Sequence, residues 1–182
     1  MRSISFDLDG VLIDSRPLVR QAYARAGLHV DDDTWEFVWG KSWTEWLPNE
    51  VGGVFEARQI HEAKNRAYAR VIRDAELTLS GAYELAHEYA TNGQPFLVTT
   101  CASVAAAEIV LARLGLIPGL MPITLNAGVS AQEKIALIND GDWIHIDDDL
   151  TVIQSIRDGI QYVDQSVEEL RQSVKELNPW TP

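Results

Sequence analysis

Short apolar runs recur along the chain at Ile4 to Leu8, Phe96 to Thr99, Met121 to Leu125, Trp143 to Ile146 and Ile160 to Val163. Each is too short for a typical helix and has Gly, Pro or Asn close by, so each predicts a buried strand. Between them, Ala82 to Ala90, Val104 to Leu114, Ala131 to Ile138, Val152 to Ile156 and Val167 to Leu177 carry apolar residues at helical spacing. Ser103, Ser130 and Ser166 stand where N-caps belong, and Gly93, Gly115 and Gly159 where terminators belong. Strands alternating with helices imply right-handed crossovers and an α/β fold: a Rossmann-like parallel sheet of about five strands, covered on both faces.

The alternation breaks between Ser15 and Ser80, where helical patterns replace strand signals. Pro17 suits a first helical turn running to Ala26, with Gly27 as its stop. Val54 to Ile72 carries an amphipathic stripe through Val54, Ala57, Ile60, Ala63, Ala67, Tyr68 and Val71. Trp35, Trp39, Trp43 and Trp46 crowd between these segments and read as the core of a small helical unit. The expected organisation is therefore an α/β domain made of residues 1–14 and 81–182, with a helical insertion at 15–80.

Composition narrows the chemistry. The 182 residues carry a formal net charge of -12, which repels nucleic-acid backbones and anionic lipid surfaces, and no basic patch offsets it. No apolar run reaches 18 residues, Asp7 and Asp9 interrupt the N-terminus before any signal-type apolar region, and Cys101 is the sole cysteine. These features point to a cytoplasmic protein without disulfides, membrane or nucleic-acid partner. An anionic ligand would have to be captured by local cations or a metal, against the field of the whole protein.

The first strand ends in Asp7-Leu8-Asp9-Gly10. Ligands of open parallel sheets bind beyond the carboxyl ends of the strands, and residues i and i+2 of an extended strand share a face. Both carboxylates can then address one cavity, where their repulsion is tolerable if a divalent cation lies between them; hard oxygen ligands favour Mg2+. One carboxylate can act as a nucleophile while the other performs acid and base work worth roughly 100-fold to 10,000-fold.

The full run Phe6-Asp7-Leu8-Asp9-Gly10-Val11-Leu12-Ile13-Asp14-Ser15 resembles the opening motif of the haloacid dehalogenase superfamily, in particular its phosphatase and beta-phosphoglucomutase branch. The resemblance implies that Asp7 is the nucleophile, and that Asp9 is the acid/base and gives the metal its backbone carbonyl. Phe96 to Thr100 is similar to the second motif of that family, with Thr99 donating its hydroxyl to the phosphoryl group and Thr100 its backbone N–H. Lys134 matches the third motif, a cation beside the nucleophile, although Ile135 follows it where relatives commonly have Pro. Trp143 to Asp149 matches the fourth motif, which completes the metal site. Asp147 is the first choice of ligand, Asp148 is the second, and Asp149 is an alternative cap for the next helix.

By the same resemblance the insertion is a cap that selects the substrate, with Gly40-Lys41-Ser42-Trp43 as its candidate loop and Lys41 as the cation for an anionic leaving group. Lys64 is a weaker candidate for the same task. The implied activity is Mg2+-dependent hydrolysis of a small phosphorylated metabolite through an aspartyl-phosphate, by a monomer or homodimer. The same motifs also serve sugar-phosphate mutases, a phosphonate hydrolase would need a cap lysine such as Lys41, and a binding protein could keep the fold without turnover. Cys101 reads as a packing residue, and His29, His61, His87 and His145 lack metal-ligand spacing.

Overall fold

The structure is a computed structural model that describes residues 3–39 and 41–178. In chain order its elements are β1 (Ser3–Phe6), α1 (Arg16–Arg25), α2 (Asp32–Val38), α3 (Trp43–Val51), α4 (Val54–Asp74), α5 (Gly81–Thr91), β2 (Phe96–Thr100), α6 (Val104–Arg113), β3 (Ile123–Ala127), α7 (Ala131–Asp140), β4 (Trp143–Asp147), α8 (Leu150–Ser155), β5 (Gly159–Gln161) and α9 (Val167–Leu177). The chain separates into two compact units, one of Met1–Asp14 with Leu77–Pro182 and one of Ser15–Glu76.

The first unit is built on a five-stranded parallel sheet in the order β3-β2-β1-β4-β5. The chain steps from β1 outward to β3, then crosses back to lay β4 on the other side of β1. That reversal makes the crevice beyond the ends of β1 and β4 the topological switch point, where ligands of open α/β sheets bind. Phe6 pairs in register with both Val98 and Ile146, so one residue further on Asp7, Thr99 and Asp147 head three adjacent strands.

Strand limits depart from the apolar runs for local reasons. β3 starts at Ile123 because Pro122 has no N–H for the ladder; its carbonyl still accepts from the Phe96 N–H at 3.1 Å. β1 stops at Phe6, since the chain bends at Leu8 and turns at Gly10 (φ 81°). Gly159 opens β5 rather than closing the preceding helix. The helices follow their sequence signals closely: Ser103, Ser130 and Ser166 each cap with their side chains, and the last two form reciprocal capping boxes with Glu133 and Glu169.

Two ties join the passages where the chain leaves and re-enters this unit. The Asp14 N–H donates to the Thr78 carbonyl at 3.0 Å, and the Ser80 hydroxyl donates to the Val11 carbonyl. Buried Ile4, Phe6, Phe96, Val98, Ile144 and Ile146 fill the centre of the sheet, and Phe6 meets Phe96 edge-on at 5.6 Å.

The second unit consists of α1 to α4, with Pro17 in the first turn of α1. Tyr23, Trp35, Val38, Trp46, Leu47 and Ala57 form its core, and Trp39 and Trp43 pack at the margin. All four tryptophans of the cluster thus serve packing. Among the described residues no helix is long and apolar enough to cross a membrane.

Phe6 is fully buried at the centre of the sheet. Phe6→Ala should therefore cost about 3–5 kcal/mol, read as a lowered midpoint of urea denaturation with unchanged slope.

Candidate active site

Four elements of the α/β unit bring the site together. Asp7 directly follows β1, Thr99 and Thr100 end β2, Asp147 ends β4 and Lys134 lies in the first turns of α7. The capping box of Ser130 and Glu133 fixes where α7 begins, and that start turns Lys134 inward. Its side chain is only 3% exposed, which rules out a solvated helix lysine. Lys134 Nζ lies 3.0 Å from Asp7 Oδ1 and 2.9 Å from Asp147 Oδ2.

Asp7, Asp147 and Asp148 each offer a carboxylate oxygen, and these oxygens lie within 4.8 Å of one another. Asp148 is held against the first turn: a Cβ at Gly10 would collide with its carboxylate, so the positive φ there and the missing side chain serve the same contact. The Asp9 carboxylate lies outside this group. The i, i+2 rule predicts a shared direction only while the strand stays extended, and extension ends at Phe6. Asp149 instead caps α8, accepting from the N–H groups of Thr151 and Val152.

Thr99 is buried, and its Oγ1 accepts a long hydrogen bond of 3.4 Å from Asn126 Nδ2. Thr100 alternates to the opposite side of β2, and its hydroxyl accepts from the Ala102 N–H at 3.1 Å. Lys41 belongs to the helical unit, where its Nζ lies 3.2 Å from the centre of the Phe37 ring; Lys64 lies over Tyr23 and Tyr68 at 5.5 and 5.7 Å. Gly40 of the candidate loop falls outside the described residues.

Burial pushes the Asp7 carboxyl well above the usual carboxylate range; Lys134 opposes the shift, and Asp147, Asp148 and Asp9 add to it. Burial acts the same way on Asp147, but the His145 hydrogen bond and Lys134 outweigh it and its pKa is lowered. Lys134 loses by burial and gains more from Asp7 and Asp147, so it stays protonated. Cys101 reaches the surface, yet crowding by protein dominates its environment and pushes the thiol up to about 11, which keeps it protonated near neutral pH.

One lysine thus pairs with two of three clustered carboxylates. Asp7 Oδ1 is buried without an aligned hydrogen-bond donor, because the nearby ammonium makes an ion pair that lacks hydrogen-bond geometry. An all-oxygen set with surplus negative charge and an unsatisfied acceptor fits a hard divalent cation such as Mg2+.

Two further buried residues belong to this network although their spacing gave no sign of a role. Ser5 Oγ lies 2.7 Å from His145 Nδ1, and His145 Nε2 lies 2.9 Å from Asp147 Oδ2. Both are polar residues inside otherwise apolar strands, two positions before Asp7 and Asp147. That alternation was the available signal.

A family model described as haloacid dehalogenase-like hydrolase matches residues 1–139. No curated protein matches the chain. Among solved structures, a hydrolase from Pseudomonas syringae aligns over 100% of both chains with 19% identity and a TM-score of 0.69. CbbY from Rhodobacter sphaeroides in complex with phosphate aligns over 91% of this chain and 88% of its own, at 17% identity and a TM-score of 0.67. Beta-phosphoglucomutase from Clostridium difficile aligns over 98% of this chain and 99% of its own, at 18% identity and a TM-score of 0.59.

The raised Asp7 carboxyl has a consequence for the metal-free protein. A group raised in the folded state stabilises fully below its ordinary value of 3.8, and that contribution is lost as pH climbs toward the folded pKa. Asp147 acts in the opposite sense, contributing above 3.8 and losing its effect on acidification. In chelator, Asp7→Asn should therefore be more stable than the wild type at pH 7, with the difference shrinking toward pH 4. Urea denaturation across that range checks this; a constant difference would contradict it.

Proposed function

The chain belongs to the haloacid dehalogenase-like hydrolases, and from that premise we propose that it hydrolyses the phosphoryl ester of a small metabolite with Asp7 as nucleophile. The observation that carries this reading is the buried Lys134 placed between Asp7 and Asp147, with Asp148 completing the carboxylate group. Support for the substrate class comes from CbbY, whose structures are described in complex with phosphate and, for a variant, with xylulose-(1,5)-bisphosphate.

In this mechanism an Asp7 oxygen attacks phosphorus while Asp9 gives a proton to the departing oxygen. The bond from phosphorus to the leaving oxygen breaks as the bond to Asp7 forms, leaving an aspartyl-phosphate. Asp9, now a carboxylate, takes a proton from water, the water oxygen displaces Asp7, and inorganic phosphate departs. Lys134 offsets charge on Asp7 and on the phosphoryl oxygens. Thr99 accepts from Asn126, so its own hydroxyl proton remains available to a phosphoryl oxygen. The Thr100 backbone N–H is the second donor in this reading.

Asp7, Asp147, Asp148 and the Asp9 carbonyl would hold Mg2+, whose positive charge would keep Asp7 ionised and offset the phosphoryl oxygens. In the same reading the helical segment 15–80 acts as the cap and supplies substrate selection, with Lys41 as its cation.

Phosphate release from p-nitrophenyl phosphate and a panel of sugar phosphates should require Mg2+ and stop on chelation. Asp7→Asn should abolish turnover, and Asp9→Asn should lower it by roughly 100-fold to 10,000-fold. Undiminished turnover by Asp7→Asn would overturn the mechanism. An isomerised sugar phosphate formed without net phosphate release would assign the same site to a mutase.

A further inference from the structure

We propose that His145 and Ser5 form a positioning pair that sets the orientation of the Asp147 carboxylate and thereby the affinity of the carboxylate group for a divalent cation. The inference rests on the reading of Asp7, Asp147 and Asp148 as a metal site.

A carboxylate offers about four lone-pair directions over its two oxygens. Asp147 Oδ2 accepts from Lys134 Nζ and from His145 Nε2, each at 2.9 Å. Asp147 Oδ1 accepts from the Asp149 N–H, also at 2.9 Å. Three directions are taken, and the fourth is on Oδ1. The ring therefore helps to saturate Oδ2 and leaves Oδ1 as the oxygen with capacity for a cation.

The ring can hold that position because its proton is placed for it. An ionised carboxylate only accepts, so Nε2 must carry the hydrogen. The neutral ring then accepts at Nδ1, and the Ser5 hydroxyl is the donor there at 2.7 Å. Ser5 and His145 are register partners on β1 and β4, and both are fully buried. A hydrogen bond across the sheet thus locks the ring that orients the carboxylate, the role that outer partners play around metal ligands. Ser5, His145 and Asp147 have the composition of a nucleophilic triad, but Ser5 lies inside the central strand with no exposed surface. It cannot meet a substrate, which leaves positioning as the task of the chain.

Mn2+ binding to the full-length protein, followed by electron paramagnetic resonance without substrate, tests this. The wild type should bind. His145→Val should weaken binding by about 10-fold to 100-fold, the usual effect of losing an outer partner, and His145→Gln, whose amide can donate to Asp147 and accept from Ser5, should restore most of it. Ser5→Ala should weaken binding alone and add nothing in the His145→Val background, because the hydroxyl acts through the ring. Nitrogen NMR should place the ring proton on Nε2. Wild-type affinity in His145→Val, or a proton on Nδ1, would overturn the proposal. Should His145→Val fail to fold, Ser5→Ala decides: an unchanged dissociation constant overturns it and a weakened one supports it. No Mn2+ binding by the wild type would remove the metal reading itself, and this inference with it.

Discussion

The structure turns on the burial of two carboxylates, Asp7 and Asp147, around one lysine, with the half-buried Asp148 beside them. Ionised groups taken out of water are costly, and an incompletely paired set is costlier still. The two acids shift in opposite directions although both touch the same ammonium, because burial outweighs Lys134 at Asp7 whereas the His145 hydrogen bond and Lys134 together outweigh burial at Asp147. Asp147 has two further donors, His145 and the Asp149 N–H, whereas Asp7 Oδ1 has no aligned donor. The acid left unsatisfied is the one proposed to react. A nucleophile fully stabilised by hydrogen bonds would be a poor one, so an unfavourable ground state and the proposed role agree.

The fold makes this concentration of charge possible. Hydrogen bonds of the parallel ladder fix β1 between β2 and β4, and the identical register on both sides brings Asp7, Thr99 and Asp147 to one level. Apolar residues on both faces keep the strands rigid and dry, so the groups at their ends cannot relax apart. The cluster therefore sits at the ends of the central strands of the sheet. Gly10 contributes from the loop side, since its bare backbone lets the Asp148 carboxylate approach.

Much of this was legible in the residues. Apolar runs gave the strands, serine caps gave the helix starts, and acids at the ends of the first and fourth runs marked the carboxylates that cluster in the structure. Legibility failed where a neighbour in space decides the outcome. Pro122 moved the start of β3 because the ladder needs an N–H, and Asp9 left the carboxylate group because the chain stops being extended after Phe6. Ser5 and His145 meet across 140 positions of sequence, so neither could be read as a partner of the other from spacing alone. Their polarity inside apolar strands was visible; the meaning of that polarity required the register.

The charge of the whole chain gives the arrangement a further logic. At a formal -12 the protein repels anions at long range, so affinity for a phosphorylated ligand must arise within a few ångströms. Lys134 is already committed to two aspartates. In the proposed reading, capture of a phosphoryl group needs charge beyond that of Lys134, and the clustered carboxylates are suited to recruit a divalent cation. On that reading, the same acids that repel anions would admit them with a cation held among them, so that binding of metal and of substrate would be coupled.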